Sequence, residues 1–335
     1  MNQPTQSSTP ERDLTVAVTG PTGTFGFGLI PLLEREERVR EVIGIARRPF
    51  DPVEHGWDKL EYRQGDVRDP GALREAFEGA DVVVHLAFLI IGGDRETTRS
   101  INIEGTLNAF RAAADAGARR FVYASSVAAY GFHRDNPVGM TEEWETRPAD
   151  RLFYAQEKAE LEELLREEAE KHPETELYLL RPPIVAGPDA VGGKVDLPGH
   201  LVPLLRAFRT GIGMLPLPVP VPAVTLQLVH QDDVGEALRL CVLGEGPAGA
   251  YNIAADDVIT FADVVEALGV STIPLPEGPV RGAARLIAQV PFLPSVVQWV
   301  EAASHPAIMD TSRAREELGW KPRWTAREAL ADTLR

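Results

Sequence analysis

The sequence predicts an α/β protein built on a doubly wound parallel sheet, with a smaller cap contributed mainly by the C-terminal part of the chain. Three observations support this prediction. In the first half, short β-branched runs alternate with amphipathic segments, which is the pattern of a parallel sheet covered by helices on both faces. After about residue 187, proline and glycine become frequent and the predicted elements are short and irregular. With 335 residues, the chain is long enough to bury a substantial core.

The predicted elements of the first half follow one another in a regular order. Residues 14–19, 41–46, 60–64, 81–87, 119–124 and 176–181 have the composition of strands, and residues 24–37, 70–79, 96–116 and 154–171 have helical periodicity. In the later part, helices are predicted near 201–209, 231–243, 260–268, 281–303, 311–318 and 325–334, and strands at 225–230 and 251–254. We find no internal repeat or flexible linker, so we expect the two parts to share one interface.

The composition excludes several classes of protein. Fifty acidic against 34 basic side chains give a net charge of −16, which repels nucleic-acid phosphates and anionic lipids. The most apolar stretch, 211–229, carries a proline at every second position from 216 to 222 and therefore cannot form a membrane-spanning helix. The single cysteine, Cys241, cannot form an internal disulfide, and the seven histidines are too widely spaced for a metal cluster. We expect a cytoplasmic protein with a small-molecule partner, and neither a nucleic-acid partner, a membrane partner nor a bound metal.

A glycine-rich turn follows the first predicted strand and opens the first helix. It places Gly20, Gly23 and Gly26 at three-residue spacing. Such a turn needs glycine because the backbone must approach a pyrophosphate closely, and the helix N-terminus then presents free N–H groups to that anion. The strand before the turn and the helix after it are the context that this motif requires. The turn therefore predicts a dinucleotide site.

Residues after the second and third strands bear on the choice of dinucleotide. The phosphorylated cofactor favours arginine at the end of the second strand, whereas the non-phosphorylated one favours a carboxylate. The chain has Arg47 and Arg48 there and no acid between 42 and 50, so we expect NADP, with NAD possible. Asp66, after the third strand, is a candidate acceptor for the adenine amino group or a helix-capping residue.

A tyrosine and a lysine at four-residue spacing open the predicted helix 154–171. Tyr154 and Lys158 therefore lie on one helical face. An ammonium beside a phenol stabilises the phenolate, and the positive charge of an oxidised nicotinamide would do the same. We therefore expect the pKa of Tyr154 to be lowered toward neutrality and its oxygen to exchange a proton with an alcohol. Ser126 ends the fifth strand, where ligands bind in doubly wound sheets, and its hydroxyl is placed to hold the reacting oxygen.

Several motifs, in order along almost the whole chain, resemble those of the extended short-chain dehydrogenase/reductase family, in its epimerase/dehydratase branch. They are TGxxGxxG from Thr19 to Gly26, HLA from His85 to Ala87, NIEGT from Asn102 to Thr106, ASSVAAYG at 124–131, the Tyr154–Lys158 pair, Arg181-Pro182 with Gly187-Pro188, LVHQDDVG at 228–235 and ELGWKP at 317–322.

The resemblance implies a Rossmann fold with Ser126, Tyr154 and Lys158 as catalytic residues, and Asn102 as a residue that fixes a helix. It implies cofactor contacts from Gly20, Gly23, Thr24, Phe25, Gly26, Arg47, Arg48, Asp66, Val67, Leu86, Ala87, Lys158, Pro182 and Ile184. It also suggests a homodimer through the helices near 96–116 and 154–171. We expect a disordered tail at 1–12, an NAD(P)-binding domain at 13–187 to which 225–255 return, and a substrate-binding cap formed by 188–224 and 256–335.

One departure from the family pattern concerns the substrate. Members that act on nucleotide-linked sugars usually place an arginine just before the VHxDD stretch, whereas this chain has Leu226 near that position, unless Arg206 or Arg209 supplies the charge. The sequence therefore predicts an NAD(P)(H)-dependent oxidoreductase that interconverts a secondary alcohol and a ketone on a small or apolar substrate. Two alternatives remain open: a nucleotide-sugar epimerase/dehydratase, and a non-catalytic redox sensor that binds the dinucleotide.

Overall fold

The computed structural model describes residues 13–90, 94–191, 219–222, 224–267, 269, 271–275 and 307–334. In the first half of the chain, strands and helices alternate. The strands are β1 (Leu14–Thr19), β2 (Val39–Ala46), β3 (Leu60–Gln64), β4 (Val82–His85), β5 (Arg120–Ala124), β6 (Glu176–Arg181) and β7 (Ile184–Ala186). The helices are α1 (Thr24–Arg35), α2 (Pro70–Phe77), α3 (Arg95–Arg99), α4 (Gly105–Asp115), α5 (Phe153–Lys171) and the short α6 (Pro188–Val191).

The later part of the chain contributes shorter elements. Its strands are β8 (Val219–Pro222), β9 (Thr225–His230), β10 (Gly249–Asn252), β11 (Val258–Thr260) and β12 (Thr272–Leu275), and its helices are α7 (Gln231–Val242), α8 (Phe261–Ala267), α9 (Ser312–Glu317) and α10 (Ala326–Thr333). The predicted tail 1–12, the predicted helices 201–209 and 281–303, and the residues Arg206 and Arg209 lie outside the described residues.

Seven strands form one parallel sheet in the order β3-β2-β1-β4-β5-β6-β10. The direction of the strand order reverses between β1 and β4, which pair in register from Val16↔Val82 to Thr19↔His85. The carboxyl ends of β1 and β4 therefore flank the switch point, where open α/β sheets bind their ligands. The predicted doubly wound α/β fold is confirmed.

The two faces of this sheet are buried in two separate hydrophobic clusters. Val16 and Val18 of β1 contribute to one cluster, and the intervening Ala17 contributes to the other. In β4, Val82 and Val84 likewise belong to the first cluster, whereas Val83 belongs to the second. This alternation follows from the two-residue period of a strand, and it explains why the central strands are continuously apolar rather than alternating with polar residues.

Helices α1 and α7 pack closely on one face of the sheet through two glycines. A Cβ added at Gly235 would lie 2.1 Å from the carbonyl oxygen of Gly28, and one added at Gly28 would lie 2.3 Å from the carbonyl oxygen of Gln231. Side chains at either position would force the helices apart. The pair keeps α7 against the helix that opens at the glycine turn.

The later part of the chain returns to the main sheet and also builds separate ones. Strand β10 pairs in parallel with β6, whereas β9 lies between β7 and β11 in a three-stranded sheet and β8 pairs with β12. Trp320, fully buried, packs into the first hydrophobic cluster, and its indole N–H donates to the carbonyl oxygen of Asp233 at 2.9 Å. The C-terminal residues thus complete the core that covers the sheet.

The single helix predicted over 96–116 is interrupted. Between α3 and α4, residues Ser100–Glu104 form a π-helical turn. In this turn, the Asn102 side chain accepts from the Leu89 backbone N–H at 2.8 Å and donates to the Leu89 carbonyl oxygen at 2.9 Å. Periodicity cannot reveal such an interruption, because it follows from a contact with a distant loop.

Candidate active site

The glycine turn connects β1 to α1 and approaches the end of β4. Gly20 has a φ of +70°, and a Cβ there would lie 2.9 Å from the backbone nitrogen of Ala87. A Cβ at Gly26 would lie 1.9 Å from the carbonyl oxygen of Pro21, so α1 could not begin in this position with any other residue. These two glycines are therefore required by the path of the turn itself.

The N-terminus of α1 presents backbone N–H groups at the switch point of the sheet. Its N-cap is Gly23, which has no side chain to cap the helix, and the first turn contains no acidic residue. Thr24 donates its hydroxyl to the carbonyl oxygen of Asp189 in α6 at 3.2 Å, and Phe25 packs partly buried against the first cluster. A helix end of this kind fits the pyrophosphate of a dinucleotide, because its N–H groups and dipole favour an anion.

The residues after β2 and β3 lie farther along the same edge of the sheet. Arg47 and Arg48 are exposed, and the next carboxylate, that of Asp51, accepts from the Val53 backbone N–H. Asp66 is bound by Arg68 at 2.7 Å (Oδ2 to Nη2), and this hydrogen bond with Arg68 lowers the pKa of Asp66 despite the opposing effect of burial. Val67 is buried against Gly105, where an added Cβ would meet Val67 Cγ2 at 2.5 Å.

The structure brings Ser126 and Tyr154 together. Ser126 is the second residue after β5, is buried, and accepts a hydrogen bond from the Ala128 backbone N–H at 3.1 Å. Tyr154 lies half-buried in the first turn of α5, and its phenol is hydrogen-bonded to the Ser126 side chain. Phe88 contacts the Tyr154 ring edge to face, with 5.6 Å between the ring centroids.

Lys158 lies one turn farther along α5 and is buried. Its ammonium donates to the Tyr123 hydroxyl at 2.9 Å and to the Ala124 carbonyl oxygen at 2.8 Å, and lies 5.9 Å from the centroid of the Tyr154 ring. Burial lowers the pKa of Lys158 to about 7, although the carboxylates of Glu162 and Glu157 act in the opposite direction.

The expected lowering of the Tyr154 pKa is wrong for this structure. Burial raises the pKa of Tyr154 to about 12, and the hydrogen bond from Ser126 only partly opposes this effect. The reason is that Lys158 donates to Tyr123 and Ala124 rather than standing against the Tyr154 hydroxyl. Desolvation therefore governs the pKa of Tyr154, and the structure favours the neutral phenol, which is a proton donor.

A fully buried polar network holds the end of β5. Ser125 donates to Glu162 at 2.6 Å, and Arg181 binds both oxygens of Glu162 at 2.9 and 2.5 Å. Arg181 also donates to the Tyr130 hydroxyl at 2.6 Å, and Tyr130 in turn donates to Asn252 in β10 at 2.8 Å. The network thus joins α5, β6 and β10 at the residue next to Ser126.

The other predicted cofactor residues follow β4 or β6 and differ in their exposure. The backbone N–H of Leu86 donates to the Thr19 carbonyl oxygen at 3.0 Å, and that of Ala87 donates to the Thr19 hydroxyl at 3.3 Å. The Pro182 carbonyl oxygen accepts from the Val127 N–H at 2.9 Å, next to Ser126, and Ile184 is 54% exposed. Leu226 packs against the small core of the three-stranded sheet.

Three residues of this region were not singled out by the sequence. Phe88 and Tyr123 contact Lys158, and Glu157 accepts from Asn102 at 2.7 Å while its other oxygen has no hydrogen-bond partner in the described residues. No spacing marks Phe88 and Tyr123, because the loop and the strand that carry them meet α5 only in the folded chain. Glu157 lies on α5 itself, and its contact with Asn102 likewise depends on a partner distant in sequence. His85, buried between Thr19 and Thr106, is structural, and burial lowers its pKa to about 3.

The described residues hold neither a metal cluster nor a membrane-spanning helix. Where the placement is described, no three His, Cys, Asp or Glu side chains are grouped to hold a metal ion. Over the same part of the chain, no helix has the length and apolar character needed to cross a membrane.

Comparisons with known proteins bear on the family and the fold. Residues 16–254 match the model of the NAD-dependent epimerase/dehydratase family. Sterol demethylase protein B of Methylococcus capsulatus is 37% identical over 139 residues, which is 40% of each protein. The crystal structure of gox2253 has a TM-score of 0.73 at 26% identity and covers 96% of this chain and 97% of its own. MoeE5, solved with UDP-glucuronic acid and NAD, has a TM-score of 0.70 at 23% identity with the same coverage.

Proposed function

The chain belongs to the NAD-dependent epimerase/dehydratase family, and from this premise we propose that it is an NADP(H)-preferring oxidoreductase that interconverts a secondary alcohol and a ketone. One observation carries the proposal: Tyr154, hydrogen-bonded to Ser126, lies at the carboxyl end of β5 one turn before the buried Lys158. This is the arrangement needed to give a proton to a carbonyl oxygen at the ligand-binding edge of the sheet.

The residues divide the chemistry among them. A bound dinucleotide would supply or accept the hydride. In ketone reduction, Tyr154 would donate its proton to the carbonyl oxygen, whose π electron pair forms the new O–H bond as the carbonyl carbon takes up the hydride, and one solvent proton would then restore the phenol. Ser126 orients the carbonyl oxygen, and the Lys158 cation stabilises the transient phenolate.

Two observations support a small or apolar substrate. Leu226 stands near the position where enzymes of nucleotide-linked sugars in the resembling family carry an arginine, and the Phe88 ring lies beside the Tyr154 ring. An apolar wall beside the reacting oxygen excludes water and offers no hydrogen bonds to a polyhydroxylated ring. The likeness to sterol demethylase protein B over 40% of the chain points in the same direction.

The second candidate function is a nucleotide-sugar epimerase or dehydratase. It is favoured by MoeE5, which was solved with a UDP-sugar and NAD. The same three side chains could form a transient ketone in such a reaction, with no net change in the cofactor. A third alternative, a redox sensor without catalysis, is less well supported because the Tyr154–Lys158 pair is retained.

The test is NADPH and NADH oxidation with a panel of aliphatic, aryl and steroid ketones, together with the Tyr154→Phe variant. We expect net NADPH oxidation with at least one ketone, and a loss of about a thousandfold or more in kcat for Tyr154→Phe with nearly unchanged NADPH affinity. Conversion of UDP-glucose or UDP-glucuronic acid without net cofactor change would favour the second candidate. Turnover retained by Tyr154→Phe would overturn the catalytic assignment.

A further inference from the structure

Lys158 is enclosed on three sides by two groups of β5 and one group of the loop after β4. Two of its N–H donors are taken by the Tyr123 hydroxyl and the Ala124 carbonyl oxygen at the end of β5. On a third side lies the Phe88 ring, whose centroid is only 3.7 Å from Nζ. This is a short cation–π contact, made by a residue of the loop after β4 for which the sequence carries no signal.

Phe88 also contacts Tyr154, the other member of the Tyr154–Lys158 pair. Its ring meets that of Tyr154 edge to face at 5.6 Å, so one aromatic side chain touches both members of the Tyr154–Lys158 pair. The loop that carries it is held in place, because Asn102 makes two hydrogen bonds to the backbone of the next residue, Leu89, and a third to Glu157 on α5. The ring is thus fixed relative to the helix that bears the pair.

We propose that Phe88 is a positioning residue for the proposed reaction, which holds the Lys158 ammonium against β5 through its π face and keeps water from that side. The proposal rests on the proposed function for its catalytic meaning, but the contact itself is independent of any substrate. An apolar side chain of similar size would exclude water equally well, yet it would not stabilise the cation.

The charge of Lys158 responds to several groups around it. Glu157 and Glu162 face it from its own helix, Tyr154 from the preceding turn, Tyr123 from β5 and His85 from β4. His85 is uncharged near neutral pH, since burial lowers its pKa to about 3. Replacing Phe88 by leucine leaves all these groups in place and removes only the π face.

The experiment is a pH titration of ¹³C-labelled lysines by NMR on the full-length chain without cofactor. The chain has only five lysines, and the Lys158 signal is assigned by its loss in Lys158→Met. In Phe88→Leu we expect the Lys158 titration midpoint to fall by roughly half a unit to one unit, because the ammonium loses a favourable contact while water stays excluded. Phe88→Tyr, which keeps an aromatic ring, should restore the midpoint.

The matched control is Phe132→Leu. Phe132 packs against the same small cluster as Tyr154, and no contact with Lys158 is described for it. We expect its Lys158 midpoint to equal that of the unmodified protein. An unchanged midpoint in Phe88→Leu, or an equal shift in Phe132→Leu, would overturn the proposal whether or not any ketone is turned over. Where turnover is found, the alkaline limb of kcat/KM should move with the NMR midpoint in Phe88→Leu.

Discussion

At the scale of single residues, the proposed preference for NADP rests on the exposed cations after β2. Arg47 and Arg48 are exposed and no acid stands between residues 42 and 50, whereas Asp66 is bound by Arg68. An exposed guanidinium pair offers several donors to a phosphate group, and a ribose hydroxyl cannot use them as well. MoeE5, a structural neighbour at 23% identity, was solved with NAD.

For the double substitution Arg47→Ala with Arg48→Ala, we expect NADPH affinity to fall by roughly tenfold to a hundredfold, since each lost charge-assisted hydrogen bond contributes about 1.5–3 kcal/mol at most. NADH affinity should change less than threefold. Fluorescence titration of both cofactors measures the two values. An equal loss for NADPH and NADH would mean that these arginines do not select the cofactor.

The second prediction at this scale concerns the stability that the buried Glu162–Arg181 pair contributes. Glu162→Gln leaves the buried Arg181 cation without its partner, and we expect the free energy of unfolding to fall by about 3–5 kcal/mol near pH 7. The control is Glu160→Gln on the same helix: Glu160 pairs with Arg99 at the surface, where a loss of roughly 0–1 kcal/mol is expected.

The difference in the free energy of unfolding between the unmodified protein and Glu162→Gln should depend on pH, with a definite sign. Burial by itself would raise the pKa of Glu162, but the Arg181 guanidinium, with Arg166 and Ser125, lowers it below 4.5 in the folded protein. Stability from this group is therefore present above the unfolded value and is lost as the pH falls through the folded value. Urea denaturation at pH 7, 5 and 4 measures the free energy of unfolding of both proteins. The gap between the unmodified protein and Glu162→Gln should narrow only below about pH 4.5. A gap that widens on acidification would contradict this account.

At the scale of secondary-structure elements, the contact between α1 and α7 depends on the absence of two side chains. We expect Gly235→Ala to lower the free energy of unfolding by about 1–3 kcal/mol or more, because its Cβ would meet backbone rather than a flexible side chain. Since α1 opens at the glycine turn, its displacement should also weaken NADPH binding. Thermal unfolding and cofactor titration measure the two effects.

The same substitution in α2 is the control. A Cβ at Gly71 would meet only the Asp69 carboxylate, at 3.1 Å, and alanine is the better helix former by about 1 kcal/mol. We expect Gly71→Ala to be near neutral in stability and in cofactor binding. If Gly235→Ala behaved like Gly71→Ala, the close approach of the two helices would be unimportant.

Elements also show how far the sequence could predict the molecule. The strands of the main sheet were predictable because they are buried on both faces and therefore read as continuous apolar runs. The interruption at Ser100–Glu104 was not, because it depends on Asn102 reaching the Leu89 backbone. Within the site, Ser126 and Tyr154 were placed together by motif and spacing. The raised pKa of Tyr154 and the contacts of Lys158 depend on burial and on neighbours distant in sequence, which no spacing encodes.

At the scale of the whole molecule, the C-terminal residues belong to the same core as the sheet. Trp320 is fully buried with residues of α7, α9 and β10. We expect Trp320→Ala to cost about 3–5 kcal/mol in the free energy of unfolding, and Trp320→Phe to cost less. Circular dichroism and cofactor binding should be lost in one transition in urea. Two separated transitions would show that the C-terminal residues are an independent unit.

The position of β10 has a consequence for how the chain is made. The strand that completes the sheet beside β6 is translated only after a further 67 residues have followed Arg181, since its first residue is Gly249. At roughly 5–20 residues per second, the ribosome exposes the bare edge of β6 for some seconds before its neighbour emerges. An unpaired edge is a template for pairing with another chain, so the nascent protein is most vulnerable to aggregation, and most in need of a chaperone, in that interval.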